Sequence, residues 1–297
     1  MATTGLRPAA AAERFPPGAK RLLAPSSQSV LAKAGRENFP VALLVLARST
    51  RRHLLAVYGF ARLVDDAGDE ALGNREALLD AIDADLDRVY RGEPKHPLMR
   101  RLADTVREVR LPREPFERLI AANRQDQRVS RYETYDDLAR YCELSANPVG
   151  RLVLHVFAAA TPERVAWSDS VCTGLQLAEH WQDVGEDFRR DRVYLPQDDL
   201  RSFAVAEGDL SRRRVTPELR RLMAFEVERA RRLLACGRPL VASLSGQARL
   251  AVAAYVGGGL AALAAVEHSG YEVLGDPPRA RTPAKLLRTL RTLWEAG

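Results

Sequence analysis

Two segments of the chain carry acidic side chains at spacings that could hold a cation. The first cluster follows an apolar stretch and comprises Asp65, Asp66, Asp69 and Glu70. The second cluster recurs at every fourth position and comprises Glu179, Asp183 and Asp187. Acids four residues apart share one face of a helix, where their like charges repel each other. Because Trp181 and Val184 lie beside the second cluster, we expect a compensating positive charge nearby.

Either cluster alone fits a solvated helix face, but two clusters favour a shared cation site. Mg²⁺ prefers oxygen ligands and typically takes one or two carboxylates together with phosphate oxygens and waters. Facing carboxylate pairs on two helices could therefore hold Mg²⁺ ions between them. Such a site would bind a diphosphate group, stabilise it as a leaving group and so generate a carbocation. Arg62 precedes the first cluster and Arg192 follows the second, and guanidinium groups suit a departing diphosphate.

Other motif-like strings predict no further cofactor. The string Gly257–Ala262 has a dinucleotide-binding spacing, but that motif needs a preceding strand and a βαβ unit. Its surroundings are Ala-rich and helix-like, so NADPH binding is not expected. A core helix that leaves room for a long apolar ligand and close helix packing without a ligand both account for these glycines. The three cysteines are far apart and form neither a zinc motif nor a disulfide framework.

The elements that must position these residues are helices. The 17 prolines divide the chain into long proline-free intervals, and apolar residues within them recur at helical spacing. Strand-like alternation is nearly absent, so the predicted fold class is all-α. Residues 1–25 are predicted to form a flexible tail, residues 26–276 one helical domain and residues 277–297 a basic amphipathic tail.

Composition and charge exclude several classes of protein. The net charge is +6, but all except four of the 45 basic residues are arginines interleaved with 39 acids. Such interleaving does not predict a nucleic-acid-binding face. The apolar run 250–266 is shorter than a membrane span and contains three glycines, which indicates a core helix. No secretion signal is recognised, and a cytoplasmic location is expected.

These motifs resemble those of the squalene/phytoene synthase family. The matching stretches run from Glu37 to about Leu200, with a weaker helical match to about residue 272. The string from Tyr58 through Arg62 and Asp65 to Asp69 resembles the family's first aspartate-rich motif. The string from Leu175 and Gln176 through Asp183 and Asp187 to Pro196 resembles the second. Tyr141-Cys142 and the segment 145–151 resemble the part that closes the pocket between them.

The resemblance implies a class I isoprenoid synthase bundle around a central apolar cavity, and it implies roles for individual residues. The implied Mg²⁺ ligands are Asp65, Asp66, Asp69, Glu179, Asp183 and Asp187. The implied catalytic residues are Asp65, Asp69, Asp183, Asp187, Tyr58 and Arg62. The implied substrate-binding residues are Asn38, Phe39, Gln176, Arg192, Tyr194 and Asn147. Glu179 departs from the family, which commonly has Asn there, and so adds a negative charge and a methylene group.

The stretch Glu37–Ala42 resembles the hydroxysqualene-forming branch of the family in bacterial hopanoid biosynthesis. That branch converts presqualene diphosphate and water to hydroxysqualene and releases diphosphate without a redox step. One alternative is the head-to-head condensation of two prenyl diphosphates to presqualene diphosphate, squalene or phytoene. A second alternative, from another class, is a non-catalytic helical interaction protein with solvated acidic faces.

The expected partner is an isoprenoid diphosphate substrate, with functional coupling to other enzymes of the squalene pathway. The stretch from Arg279 to Trp294 is basic and carries five apolar side chains at helical spacing. It fits two arrangements equally: a peripheral contact with the inner face of the membrane, and a helix docked on its own domain.

Overall fold

The protein is built from α-helices. The structure, a computed structural model, describes residues 45–70 and 73–296. Its α-helices are α1 (Arg48–Asp65), α2 (Arg75–Arg91), α3 (Pro97–Val109), α4 (Glu114–Gln125), α5 (Tyr135–Ser145), α6 (Asn147–Val156), α7 (Pro162–Arg189), α8 (Gln197–Ser202), α9 (Pro217–Ala235), α10 (Gly237–Ser243), α11 (Gly246–His268) and α12 (Thr282–Glu295). Within the described ranges there is no strand, and one isolated β-bridge joins Arg131 to Val193. The predicted all-α class is confirmed.

Proline and hydroxyl residues start several of these helices. Helices α7 and α9 each begin with a proline that follows a threonine, Thr161 and Thr216. Each threonine side chain accepts a hydrogen bond from a backbone amide of the first turn. Proline needs no amide partner at this position, and its fixed φ suits the first turn of a helix. The proline spacing in the sequence therefore marks true helix starts.

Two apolar cores contribute to the interior of the bundle. The first is formed mainly by α1 to α4, where the rings of Phe60 and Phe116 meet edge to face at 4.9 Å. The second is formed mainly by α5, α7 and α9 to α11, around the fully buried Trp181. Its indole Nε1 donates a hydrogen bond to the backbone carbonyl of Glu226 at 3.1 Å. The 28-residue α7 packs against α6, α9 and α11 and so joins the parts of the fold.

Helix α11 is apolar on every side. It has 23 residues and a mean hydropathy of 1.7 over its most apolar window, which is long and apolar enough to cross a membrane. However, 67% of that window is buried inside the protein. A helix that is apolar all round and covered by its neighbours is the core helix of a globular fold. The glycines of the run 257–259 therefore do not form a nucleotide-binding turn.

The segment predicted as a C-terminal tail contains a packed helix. Helix α12 lies against α11, and the two backbones come very close at Gly257. A Cβ atom on Gly257 would lie 2.6 Å from the backbone nitrogen of Thr289, so only glycine fits there. The structure has this helix docked on its own domain, and the contact with a membrane surface stays a prediction. Helical packing thus continues past residue 276.

Candidate active site

The first acidic cluster lies where α1 passes into a π-helical turn, Asp66–Glu70. Such turns are rare and are frequently found at functional sites. Gly68 allows this turn to approach α4, since a Cβ atom there would lie 2.2 Å from the side-chain oxygen of Asn123. The Gln127 side chain donates to the Gly68 carbonyl at 3.0 Å and holds the turn in place.

Asp65 is held in a partly buried position by α4. Asn123 Nδ2 donates a hydrogen bond to Asp65 Oδ1 at 3.1 Å. Burial raises the pKa of Asp65 to about 7; the Asn123 hydrogen bond and Arg62 oppose this rise, and Asp69 and Asp66 add to it. The ionised form of Asp65 is thus unfavourable until a positive charge approaches.

The second acidic cluster follows one face of α7. Burial, followed by repulsion from Asp187, raises the pKa of Asp183 to about 6, and Arg279 lowers it in part. His180 Nδ1 lies 3.9 Å from Asp187 Oδ2. Arg279, which lies in the C-terminal segment, supplies a positive charge near Asp183, and the sequence did not predict this residue as part of the site. The positive charge expected beside this cluster is therefore present, but it only partly offsets the rise in the pKa of Asp183.

Two arginines connect the clusters to the rest of the site. Arg192, which follows α7, forms an ion pair with Asp69 in the turn after α1, with Nη2 and Oδ1 2.7 Å apart. Arg62 Nε lies 2.7 Å from Asp66 Oδ1, one helical turn further along the chain. The Arg192–Asp69 pair joins residues 123 positions apart, so it brings the two acidic segments to one place.

Asp126 is a site residue that sequence reasoning missed. It lies at the end of α4, where Tyr141 donates a hydrogen bond to its Oδ2 at 2.8 Å. Its Oδ1 is buried without a hydrogen-bond partner. Burial raises the pKa of Asp126 to about 6; the Tyr141 hydrogen bond and Arg192 oppose this, and Asp69 and Asp187 add to it. Asp69 of the first cluster and Asp187 of the second thus both raise the pKa of Asp126. The residues next to Asp126 in the sequence form no motif that would have identified it.

Aromatic rings close the site beside the acids. The ring of Tyr194 stacks on His180 with centroids 3.6 Å apart and planes at 15°. Tyr141 lies 5.9 Å from Tyr194, and Tyr132 stacks on Tyr194 at 5.9 Å. Gln176 Nε2 lies 3.1 Å from His180 Nε2, which fixes the imidazole from its other side. This layer keeps the arginine and the acids at defined positions.

A cavity of about 250 Å³ opens from the acids into the protein. Its polar end is lined by Arg62, Asp65, Gln176 and Glu179, together with Tyr58. Its walls are apolar and come from α1, α6, α7 and α11, with Val57, Val149, Val153, Leu175 and Val252. The cavity is thus charged at one end and apolar along its length. Such a space fits a ligand with an anionic head and a hydrocarbon tail.

Five of the predicted site residues line this cavity: Tyr58, Arg62, Asp65, Gln176 and Glu179. Asn147 is buried away from the cavity, where its side chain accepts a hydrogen bond from Thr173 Oγ1 at 3.0 Å and joins α6 to α7. Asn38 and Phe39 lie outside the described residues. The others lie at the clusters or on the cavity wall.

The acidic residues suit Mg²⁺ only if a ligand supplies further oxygens. Within residues 45–70 and 73–296, no group of three His, Cys, Asp or Glu side chains could hold a metal ion by itself. The donors at hand are carboxylates, and Asp65 and Asp183 have pKa values raised by burial. Mg²⁺ accepts one or two carboxylates when phosphate oxygens complete its shell. The donor set therefore fits a cation shared with a diphosphate.

Comparison with known proteins gives consistent relatives. The sequence profile of the squalene/phytoene synthase family matches residues 32–288. A hydroxysqualene synthase from Rhodopseudomonas palustris is 36% identical over 210 residues, which cover 70% of this chain and 71% of that protein. A phytoene synthase from Arthrospira platensis is 34% identical over 217 residues, covering 68% and 70%.

Solved structures agree with the sequence relatives. The squalene synthase HpnC from Alicyclobacillus acidocaldarius is 41% identical and superposes with a TM-score of 0.73, covering 86% of this chain and 93% of that chain. A dehydrosqualene synthase crystallised with a ligand is 22% identical and has a TM-score of 0.78, with coverage of 92% and 96%. At that identity the second likeness supports the fold alone.

Proposed function

The chain belongs to the squalene/phytoene synthase family, and on that premise we propose that it converts presqualene diphosphate and water to hydroxysqualene with release of diphosphate. The observation that supports this most directly is the cavity, which has Arg62 and Asp65 at one end and apolar walls beyond. The Glu37–Ala42 stretch favours this reaction over its relatives, and a hydroxysqualene synthase is among the similar proteins at 36% identity. The family assignment favours an enzyme over a non-catalytic interaction protein.

In this proposal the two arginines bind and orient the diphosphate. Arg192 is held by Asp69, and Arg62 is held by Asp66, so both guanidinium groups are placed before the substrate arrives. Placing charges in advance avoids reorganisation as negative charge develops on the leaving group. Asp65 and Asp69, together with Asp183, Asp187 and Glu179, would hold Mg²⁺. When bound, Mg²⁺ would neutralise the leaving diphosphate.

The apolar walls govern the steps after ionisation. A cyclopropylcarbinyl-type cation forms when the carbon–oxygen bond to diphosphate breaks, and it rearranges before it meets a nucleophile. The side chains of Val57, Val149 and Val153 have no lone pair that could attack this cation. Because these walls are apolar, they also exclude bulk water while the rearrangement proceeds. The reaction ends when one water molecule forms a carbon–oxygen bond and loses a proton. No reductant is needed, so NADPH has no role in this proposal.

Product analysis separates this reaction from its rival in the family. Purified protein would receive Mg²⁺ with presqualene diphosphate in one tube and farnesyl diphosphate in another, both without NADPH, and products would be identified by mass spectrometry. Hydroxysqualene from the first tube alone supports the proposal. Product from the second tube would make the protein a condensing synthase, to which the 34% identity with a phytoene synthase also points.

A pair of variants on α7 tests the cation site. We expect Asp183→Ala to lose Mg²⁺-dependent binding of diphosphate and all turnover, with its helical circular dichroism unchanged. Glu186→Ala is the matched control, because Glu186 lies on the same helix and pairs with Arg190 at 2.8 Å. Retained turnover in Asp183→Ala would refute the assigned role of this acid.

A further inference from the structure

Helix α12 presents four of its five large apolar side chains to solvent, and the fifth, Leu293, packs against the core. Leu286 is 60% exposed, Leu287 67%, Leu290 55% and Trp294 82%. Its buried residues are two threonines, at positions 289 and 292. An amphipathic helix of a globular domain normally buries its apolar side and exposes its polar side. The orientation of α12 is therefore inverted.

The inversion comes from the close packing of α12 on α11. Gly257 brings the two helix backbones so near that its missing Cβ would lie 2.6 Å from the nitrogen of Thr289. Small side chains fit at such an approach, and leucines do not. Leu286, Leu290 and Trp294 follow one another at four-residue intervals and so share the opposite side of the helix. We call these residues, with Leu287, the apolar face of α12.

Basic residues lie on the same helix as the apolar face. Helix α12 carries Lys285, Arg288 and Arg291 and one acid, Glu295, which pairs with Arg291. Exposed apolar side chains beside a positive charge are the pattern of a helix that lies in the surface of an anionic bilayer. We propose that the apolar face of α12 binds the surface of an anionic lipid bilayer.

Vesicle binding by the full chain tests this proposal. The protein would be mixed with vesicles of phosphatidylglycerol or of phosphatidylcholine, and tryptophan emission would be recorded. Trp181 is buried and Trp167 is half-buried, so a blue shift reports mainly on Trp294. We expect a blue shift with phosphatidylglycerol and its loss in Trp294→Phe.

Matched variants separate the apolar face from net charge. Leu286→Gln with Leu290→Gln should weaken binding at least about tenfold, because two exposed leucines no longer leave water. Arg288→Gln with Arg291→Gln should weaken it by about 30-fold, since each basic residue near an anionic surface contributes a factor of about five. Arg213→Gln with Arg214→Gln removes the same charge at an exposed site far along the chain, and should have little effect.

Three results would overturn the proposal. The first is an absent blue shift with phosphatidylglycerol. The second is equal binding to both kinds of vesicle. The third is a blue shift that appears without vesicles as protein concentration rises, because the apolar face would then bind a second copy of the chain.

A different observation, on the cavity wall, supports a second inference, which rests on the proposed function. Ser145 lines the cavity, and its Oγ is buried without a hydrogen-bond partner. Other polar side chains of the wall are engaged: Gln176 contacts His180, and Ser168 bonds to Cys172. A buried hydroxyl without a partner costs free energy unless a water or ligand satisfies it.

The position of Ser145 suits a water near the polar end. It lies at the last turn of α5, four residues after Tyr141, so both residues share one side of that helix. Tyr141 contacts Asp126 at the acids, while Val149 lies on the apolar wall. Ser145 therefore lies between the charged and the apolar parts of the site.

We infer that Ser145 Oγ holds the water that ends the reaction. The water oxygen forms the carbon–oxygen bond to the cation, and its proton passes to the released diphosphate. Ser145 itself gains or loses no covalent bond, so it is a positioning residue. Without its hydroxyl the cation should lose a proton to give an alkene, or be captured unselectively.

The product ratio of two serine variants tests this role. Presqualene diphosphate would be given to wild type, Ser145→Ala and Ser168→Ala, and both diphosphate release and products would be measured. We expect Ser145→Ala to release diphosphate at a near-normal rate but to lower the ratio of hydroxysqualene to other products about tenfold. Ser168→Ala, whose hydroxyl lines the same cavity but is already engaged, should keep the wild-type ratio.

The outcomes distinguish this inference from the proposed function. If wild type forms no hydroxysqualene, the proposed function fails. If wild type forms it and Ser145→Ala keeps the same ratio, the inference about Ser145 fails while the proposed function stands. An equal change of ratio in both variants would also overturn the role of Ser145, because cavity shape alone would then decide the product.

Discussion

Asp65→Asn should make the protein more stable while it abolishes activity. Burial is the largest cause of the raised pKa of Asp65, which lies at about 7, and the neighbouring acids Asp66 and Asp69 add to it. At about pH 8 the folded protein therefore holds a carboxylate that would be better hydrated in the unfolded chain. An amide of the same shape removes this charge and can still accept the hydrogen bond from Asn123.

The raised pKa of Asp65 sets the gain in stability expected for Asp65→Asn. The value rises from an ordinary 3.8 to about 7, and each pH unit between them corresponds to ~1.4 kcal/mol, which gives an upper bound of about 4 kcal/mol. The side chain is partly exposed, so we expect about half, ~2 kcal/mol. Because the pKa of Asp65 is raised in the folded protein, the contribution of this side chain to stability is fully present below pH 3.8. That contribution is lost as the pH rises through about 7. The advantage of Asp65→Asn should grow over that range.

Urea unfolding measures this advantage. Wild type and Asp65→Asn would be unfolded in EDTA, so that no divalent cation compensates the charge, at about pH 8 and about pH 4.5. We expect the variant to be more stable by ~2 kcal/mol at the higher pH and by less than half of that at the lower pH. Turnover of presqualene diphosphate with Mg²⁺ should be lost at both.

Asp69→Asn is the matched control. Asp69 is 42% exposed and pairs with Arg192 at 2.7 Å, so it is a more exposed acid of the same cluster with a counter-ion in contact. This variant should lose turnover without gaining stability. If Asp65→Asn is no more stable than wild type at about pH 8, burial does not penalise this carboxylate, and the reasoning is refuted.

Three further predictions concern other parts of the molecule. Gly257→Ala should lower the free energy of unfolding by about 1–3 kcal/mol, because its Cβ would force the Thr289 backbone away, and urea unfolding measures this. Burial, opposed by Arg229, raises the pKa of Glu226 to about 8. The free energy of unfolding of the wild type should therefore fall as the pH rises from about 4.5 through 8. Urea unfolding at several pH values should show a flatter profile for Glu226→Gln. Arg192→Gln should lower kcat/KM about 10- to 100-fold in steady-state kinetics through loss of a charge-assisted contact to diphosphate, and an unchanged value would remove Arg192 from the site.

The fold class and both acidic clusters could be predicted from the sequence because they depend on local patterns. Apolar residues at helical spacing and prolines at helix starts need no knowledge of distant contacts. Likewise, acids at four-residue intervals lie on one face of α7 whatever packs against that face. From these patterns the sequence predicts Asp65, Asp183 and Asp187 as site residues.

Asp126 and Ser145 could not be found in this way. Asp126 is a lone acid at a helix end, and only the packing of α4 beside Tyr141 buries it near both clusters. Ser145 occurs in a string typical of the family, but its significance lies in an Oγ that is buried at the cavity and has no partner. A lone residue gives no periodic signal, and its environment is formed by segments far away in the sequence.

The C-terminal helix shows this division most clearly. The sequence alone determined that residues 282–295 can form a helix with one apolar side and several basic residues. It could not determine which side is buried, because a helical pattern specifies a face and not the partner that covers it. Only the tertiary structure decided that the backbone of Thr289 meets Gly257, so that Leu286, Leu287 and Leu290 point outwards. The physical reason is steric: helices that approach this closely leave no room for large side chains between them.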